Sequence, residues 1–165
     1  MKKYAEYATK KAAELIAIDS PSGYTARAAE WVKNEFEALG YKAEITNKGG
    51  VMITLSDKGK DGLLLQAHAD TLGGMVAGIK GDGRLKLTAL GGMRAENGET
   101  ENVKVYTRDG RVYDGTLQLC NPSIHVNGSY GDTKRSFETT EVVLDEDVKN
   151  ADDTKKLGIE VGDIV

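Results

Sequence analysis

The sequence predicts an α/β unit followed by a small all-β unit. Three observations carry that expectation. Apolar residues recur at helical spacing through the first forty positions, and a continuous apolar run, GLLLQA (62–67), follows two short alternating segments. From Gly73 to Gly131 the helical period vanishes while 12 of the chain's 20 glycines appear. Helices ahead of a strand covered on both faces indicate an α/β sheet. Short alternating segments separated by turn signals indicate a barrel or a sandwich. At 165 residues and 39% hydrophobic content the chain can fill a core. The organisation changes near residue 72, which predicts units at 1–72 and 73–165.

In the first unit, Tyr4, Ala8, Ala12, Leu15 and Ile16 form one helical stripe. Ala28, Val32, Phe36 and Leu39 form a second, with Gly40 placed to stop the helix. Between them, DSPSGY (19–24) combines a proline, a glycine and cap-forming side chains, the local chemistry of a helix-entry loop. Tyr41, Ala43 and Ile45 alternate with polar residues, Gly49 and Gly50 turn the chain, and Val51, Ile53 and Leu55 alternate again, which predicts a hairpin. GLLLQA then reads as a strand buried on both faces. In the second unit, IKGDGRLKL (79–87) and VKVYTRDGRVYDGTLQL (103–119) each read as strand, turn, strand. GDG (81–83), ENG (96–98) and RDG (108–110) supply turn signals, and only NADDTKKLG (150–158) returns to a helical pattern.

Charge and composition exclude several partners. Twenty-two basic against 26 acidic residues give a net charge of -4 with no long block of one sign, so the clustered Lys and Arg that hold nucleic acid are missing. Lys10, Lys11 and Glu14 interrupt any signal-peptide core in the first twenty residues, and no segment approaches a membrane span. The single cysteine, Cys120, precludes a disulfide within these residues and fits a reducing, cytoplasmic setting; it reads as a small strand residue.

His68 and Asp70 carry the candidate chemistry. Two positions apart at the end of a predicted strand, they share one face, at the edge where α/β sheets collect ligands. A neutral imidazole there can bind a metal ion, and Asp70 can accept its second N–H and fix the tautomer. The same pair also reads as a hydrogen-bonded structural contact at a strand end. Other candidates read as structural: His125 in NPSIHV satisfies local hydrogen bonds, and Asp145 with Asp147 and Asp152 with Asp153 form a solvated acidic surface without the twelve-residue calcium pattern. The paired glycines at 73–74 and 91–92 open no helix and precede no lysine, so they bend strands and do not cradle phosphate. Trp31 packs on the second helix without a ligand role.

Four stretches, DSPSGY, LLLQAHADTLGGMV (63–76), GDGRLKLTALGG (81–92) and KKLGIEVGDIV (155–165), occur in the order and spacing of a known family. Through them the chain resembles the dinuclear metal aminopeptidases that include glutamyl aminopeptidases, tetrahedral aminopeptidases and proteins once labelled cellulases. The resemblance implies part of an aminopeptidase-type α/β catalytic domain at 1–72, followed by a small PDZ-like β-barrel assembly domain at 73–165. For His68 it implies ligation of one of two divalent metal ions, zinc or cobalt, and for Asp70 a supporting role beside the ligand. Thr71 departs from the glutamate that many members carry. The resemblance places the bridging aspartate, the glutamate pair with the general base, and the remaining ligands beyond residue 165. It therefore implies an enzyme that removes N-terminal residues from short peptides as a homo-oligomer, with this chain alone inactive and binding metal weakly or not at all. The alternative from a different class is a non-catalytic β-barrel module for binding or self-assembly.

Overall fold

The computed structural model describes residues 2–56 and 62–165. The chain divides into two compact units, Met1–Leu72 and Gly73–Val165.

The first unit begins with two helices, α1 (Lys2–Ile16) and α2 (Ala26–Ala38). The expected stripe of α1 is present but uncovered: no residue of this helix is buried, and Tyr4 and Ile16 are both more than two-thirds exposed. Charge joins it to α2 instead. Lys11 Nζ lies 2.8 Å from Glu14 and 2.7 Å from Glu35, and 5.6 Å from the centre of the Trp31 ring. These carboxylates hold the Lys11 ammonium well above the usual lysine range.

α2 ends as its sequence requires. Gly40 takes φ +87°, its N–H bonds Glu37 O, and Tyr41 N–H reaches back to Phe36 O, the paired bonds of a Schellman stop. The rings of Phe36 and Tyr41 meet edge to face at 6.3 Å and close the same turn. The hairpin follows as β1 (Lys42–Ile45) and β2 (Val51–Thr54), antiparallel, with Ala43 opposite Ile53 and Ile45 opposite Val51, so the expected apolar set shares one face. α2 packs on this hairpin. Among the described residues, the aliphatic and aromatic side chains of this unit that are buried are alanines: Ala28, Ala29 and Ala43.

GLLLQA departs from its expectation. Residues 62–70 form neither strand nor helix, and Leu63, Leu64 and Leu65 are 87%, 80% and 76% exposed. An apolar run becomes a buried strand only where neighbouring strands offer hydrogen bonds and cover. Here β1 and β2 pair with each other, and the run pairs with neither.

The second unit is one curled antiparallel sheet. Its strands are β3 (Gly73–Ile79), β4 (Leu85–Leu90), β5 (Asn102–Tyr106), β6 (Val112–Leu119) and β7 (Thr140–Leu144), in the order β3-β4-β7-β6-β5. The two predicted hairpins are β3–β4 and β5–β6. β7, which sequence reading passed over, is the central strand. ENG sits in a one-turn helix, α3 (Ala95–Gly98), rather than in a turn between strands. Val76, Leu85, Leu87, Val105, Leu117, Val142, Leu144 and Ile159 form the core.

The two outer strands bond the same segment. Gly74 and Val76 of β3 exchange four backbone hydrogen bonds of 2.7–2.9 Å with residues 162–165, and Tyr106 of β5 donates to Ile164 O at 2.8 Å. Backbone groups that an open sheet would leave unpaired are thereby used internally. Inside, fully buried Glu141 of β7 accepts from Lys80 and Arg84, which flank the β3–β4 turn. The Glu141 carboxylate holds both cations above their usual ranges. Because β4 meets β7 at the single registered pair Leu85–Val142, this charged clamp adds a second tie at that junction.

The last helix, α4 (Ala151–Lys156), starts at Asn150, whose side chain accepts from the N–H groups of Asp152 and Asp153. Asp152 and Asp153 thus lie in its first turn, where negative charge suits the helix dipole. α4 docks on the β3–β4 turn through Thr154, whose buried hydroxyl donates to Gly83 O at 2.7 Å. Gly83 combines φ +86° with a site where a Cβ would meet Thr154 Oγ1 at 2.9 Å and Asn150 O at 3.0 Å. Gly83→Ala should therefore destabilise the second unit by about 2 kcal/mol, seen as a lower urea midpoint with an unchanged slope.

Candidate functional site

Ser20 and Pro21, in the loop between α1 and α2, are buried, and they carry the site. Pro21 forms a parallel bridge with Thr71, Thr71 N–H donates to Ser20 O at 2.9 Å, and Ser20 Oγ donates to Ala69 O at 3.1 Å. The segment around His68 is thus fastened to a loop 49 positions earlier. The sheet edge expected from the sequence is not what holds it, because residues 62–70 lie in no strand.

His68 and Asp70 nevertheless meet. His68 Nδ1 lies 3.1 Å from Asp70 Oδ1 and 3.2 Å from the Asp70 carbonyl. The other carboxylate oxygen, Oδ2, accepts the Ser22 hydroxyl at 2.5 Å. The Ser22 hydroxyl, with His68 acting in the same direction, holds the Asp70 carboxyl below the usual carboxylate value. The His68 ring is 86% exposed and the Asp70 side chain 39%. With Nδ1 turned to the carboxylate, Nε2 is the ring nitrogen directed away from it.

Sequence reading missed Ser20 and Ser22. The signal was present in DSPSGY, but a helix-entry loop gives no indication of which distant segment it grips. Among the described residues, no group of three or more His, Cys, Asp or Glu side chains could hold a metal ion. His68 and Asp70 supply one imidazole and one carboxylate, fewer donors than two metal ions held close together require, so these residues do not by themselves fit a dinuclear centre.

The other candidates lie elsewhere. His125 is exposed in the irregular stretch between β6 and β7. Cys120, expected within a strand, is an exposed residue just after β6. Partial desolvation of its sulfur, and then the Glu141 carboxylate, push its thiol up, away from a reactive thiolate. Among the described residues no helix is long and apolar enough to cross a membrane.

Residues 49–165 match the family model described as M42 glutamyl aminopeptidase. YhfE of Bacillus subtilis strain 168, named as a candidate aminopeptidase, is 39% identical over 155 residues, covering 92% of this chain and 44% of that protein. The TET aminopeptidase of a marine sediment archaeon, Thaumarchaeota archaeon SCGC AB-539-E09, shares the fold with a TM-score of 0.82 at 19% identity, over 98% of this chain and 44% of its own. The TET1 peptidase of Pyrococcus horikoshii, described as assembling into a tetrahedron or a large octahedral shell, aligns with a TM-score of 0.75 at 21% identity, over 95% of this chain and 46% of its own. The chain spans about 44% of the length of the curated relatives it matches.

The Ser20 clamp generates a test. Ser20→Ala removes a buried donor to Ala69 O worth about 1 kcal/mol, so hydrogen exchange at the Thr71 amide should accelerate roughly fivefold, measured by heteronuclear NMR.

Proposed function

The chain belongs to the M42 glutamyl aminopeptidase family, and on that premise we propose that it is the part of a metal-dependent aminopeptidase that presents one metal ligand, His68, with its orienting carboxylate, Asp70. The enzyme would release N-terminal residues from short peptides. The observation that carries this reading is the pairing of His68 Nδ1 with Asp70 Oδ1 at 3.1 Å. A ligand histidine needs a bare nitrogen facing the metal and an acceptor behind the ring, and this pairing leaves Nε2 for the first while Asp70 serves as the second. The remaining donors of a zinc or cobalt pair would come from outside these residues. No catalytic step is assigned to this chain on its own.

For the second unit the proposed role is the PDZ-like β-barrel assembly domain of such an enzyme. The bonding of residues 162–165 to both outer strands supports a unit that satisfies its own edges. Exposed Ile124 and Val126, beside His125, offer apolar surface for contacts between copies. The assembly described for the Pyrococcus horikoshii relative is in keeping with a homo-oligomer. The proposed setting is the cytoplasm. A purely non-catalytic module gives no purpose to the Ser22–Asp70–His68 chain of contacts and is the weaker reading.

Three outcomes test this. Residues 1–165 joined to the remaining part of YhfE, assayed on short peptides with zinc or cobalt beside YhfE itself, should release N-terminal residues. His68→Ala should lower the rate at least a hundredfold and Asp70→Ala by about 10–100-fold; an unchanged rate in His68→Ala would overturn the assignment. The 165-residue chain alone should show no turnover of amino-acid nitroanilides above its own His68→Ala control. Sedimentation equilibrium at tens of micromolar should report a dimer or larger, and a well-ordered monomer would remove the assembly role.

A further inference from the structure

Ser22 lies in DSPSGY and touches Asp70, yet the aminopeptidase reading gives it no stated task. The geometry points to Ser22 as a positioning residue for His68, acting through Asp70: its hydroxyl fixes the carboxylate so that the imidazole presents Nε2 unprotonated. The inference rests on the reading of His68 as a metal ligand and adds the group that sets its tautomer.

The Asp70 carboxylate has two oxygens, each with a separate partner, and the Asp70 carbonyl stands 3.2 Å from the same His68 nitrogen as a second, weaker-placed acceptor. Oδ1 faces His68 Nδ1 at 3.1 Å, and Oδ2 accepts from Ser22 Oγ at 2.5 Å. Turning the carboxylate about its own bond would break one of these contacts, so the Ser22 bond fixes the plane in which Oδ1 meets the ring. An ionised carboxylate accepts and cannot donate, and a neutral imidazole carries a single N–H. An acceptor held at Nδ1 therefore draws that proton to Nδ1 and leaves the lone pair on Nε2.

Water could also hydrate Oδ2, but without a fixed direction. Ser22 has one, because the residues before it are fastened in place. Ser20 is buried and bonds Ala69 and Thr71, and Pro21 pairs with Thr71. These three contacts fall on residues flanking Asp70, so the loop and the carboxylate move as one piece. The bond is also charge-assisted, which makes it stronger than one between neutral groups.

The test reads the tautomer directly. Nitrogen-15 spectra of the labelled 165-residue chain are recorded near pH 8, above the ordinary imidazole value of about 6.5, with His68→Ala assigning the signals. The wild type should show a pyrrole-like Nδ1 and a pyridine-like Nε2. In Ser22→Ala both resonances should move toward the exchange-averaged position of a free histidine, in which the Nε2–H form predominates. Ser22→Thr should restore the wild-type pattern and Ser22→Val, close to it in shape but without the hydroxyl, should not; this pair isolates the hydroxyl from any effect on folding. If the serine, alanine and valine forms share the same Nδ1–H signature, Ser22 has no positioning role while the Asp70–His68 pairing stands. If the wild type itself carries its proton on Nε2, that pairing fails and the role of Ser22 fails with it.

Discussion

A short parallel contact between residues 20–21 and 69–71 is what the candidate site depends on. Thr71 N–H bonds Ser20 O at 2.9 Å, and the Ser20 hydroxyl returns a bond to Ala69 O. Without it, His68 and Asp70 would lie in a segment that has no helix or strand to hold it. Local sequence brings those two side chains near each other, but Ser22 reaches Asp70 from 48 positions away. The constraint is economical because Ser20 uses both its carbonyl and its hydroxyl, and burial makes leaving either unpaired costly.

The two units rest on different physics. In the second, Val76, Leu85, Val105, Leu117, Val142 and Ile159 are almost wholly removed from water, and each such side chain contributes about 1.5–3 kcal/mol. Buried polar groups then specify how the sheet meets its turns, with Glu141 clamping Lys80 and Arg84, and Thr154 capping Gly83. In the first, the buried aliphatic and aromatic side chains among the described residues are alanines, and each offers little more than one methyl group. Polar contacts at Lys11 and at Ser20 join chain segments there. The candidate site therefore lies in the unit with the smaller apolar core, and local opening is cheapest where few apolar contacts must be broken.

Much of this protein was legible in its residues. The periodicity of the first forty positions, the Gly40 stop, the Gly49–Gly50 turn, both hairpins of the second unit and the helical return in NADDTKKLG all follow from short-range rules of spacing and φ preference. His68 and Asp70 were visible as a pair for the same reason, since two positions of spacing suffice to bring them together. Only tertiary structure decided the rest. GLLLQA reads as a buried strand by composition, yet a strand requires partners, and none of the paired strands takes it up. β7 became the centre of its sheet, and residues 162–165 came to bond both outer strands, through pairings between positions far apart in the chain. The grip of DSPSGY on Asp70 is of the same kind: hydrogen-bonding capacity belongs to a residue type, whereas the identity of its partner is settled only when distant segments are brought into contact.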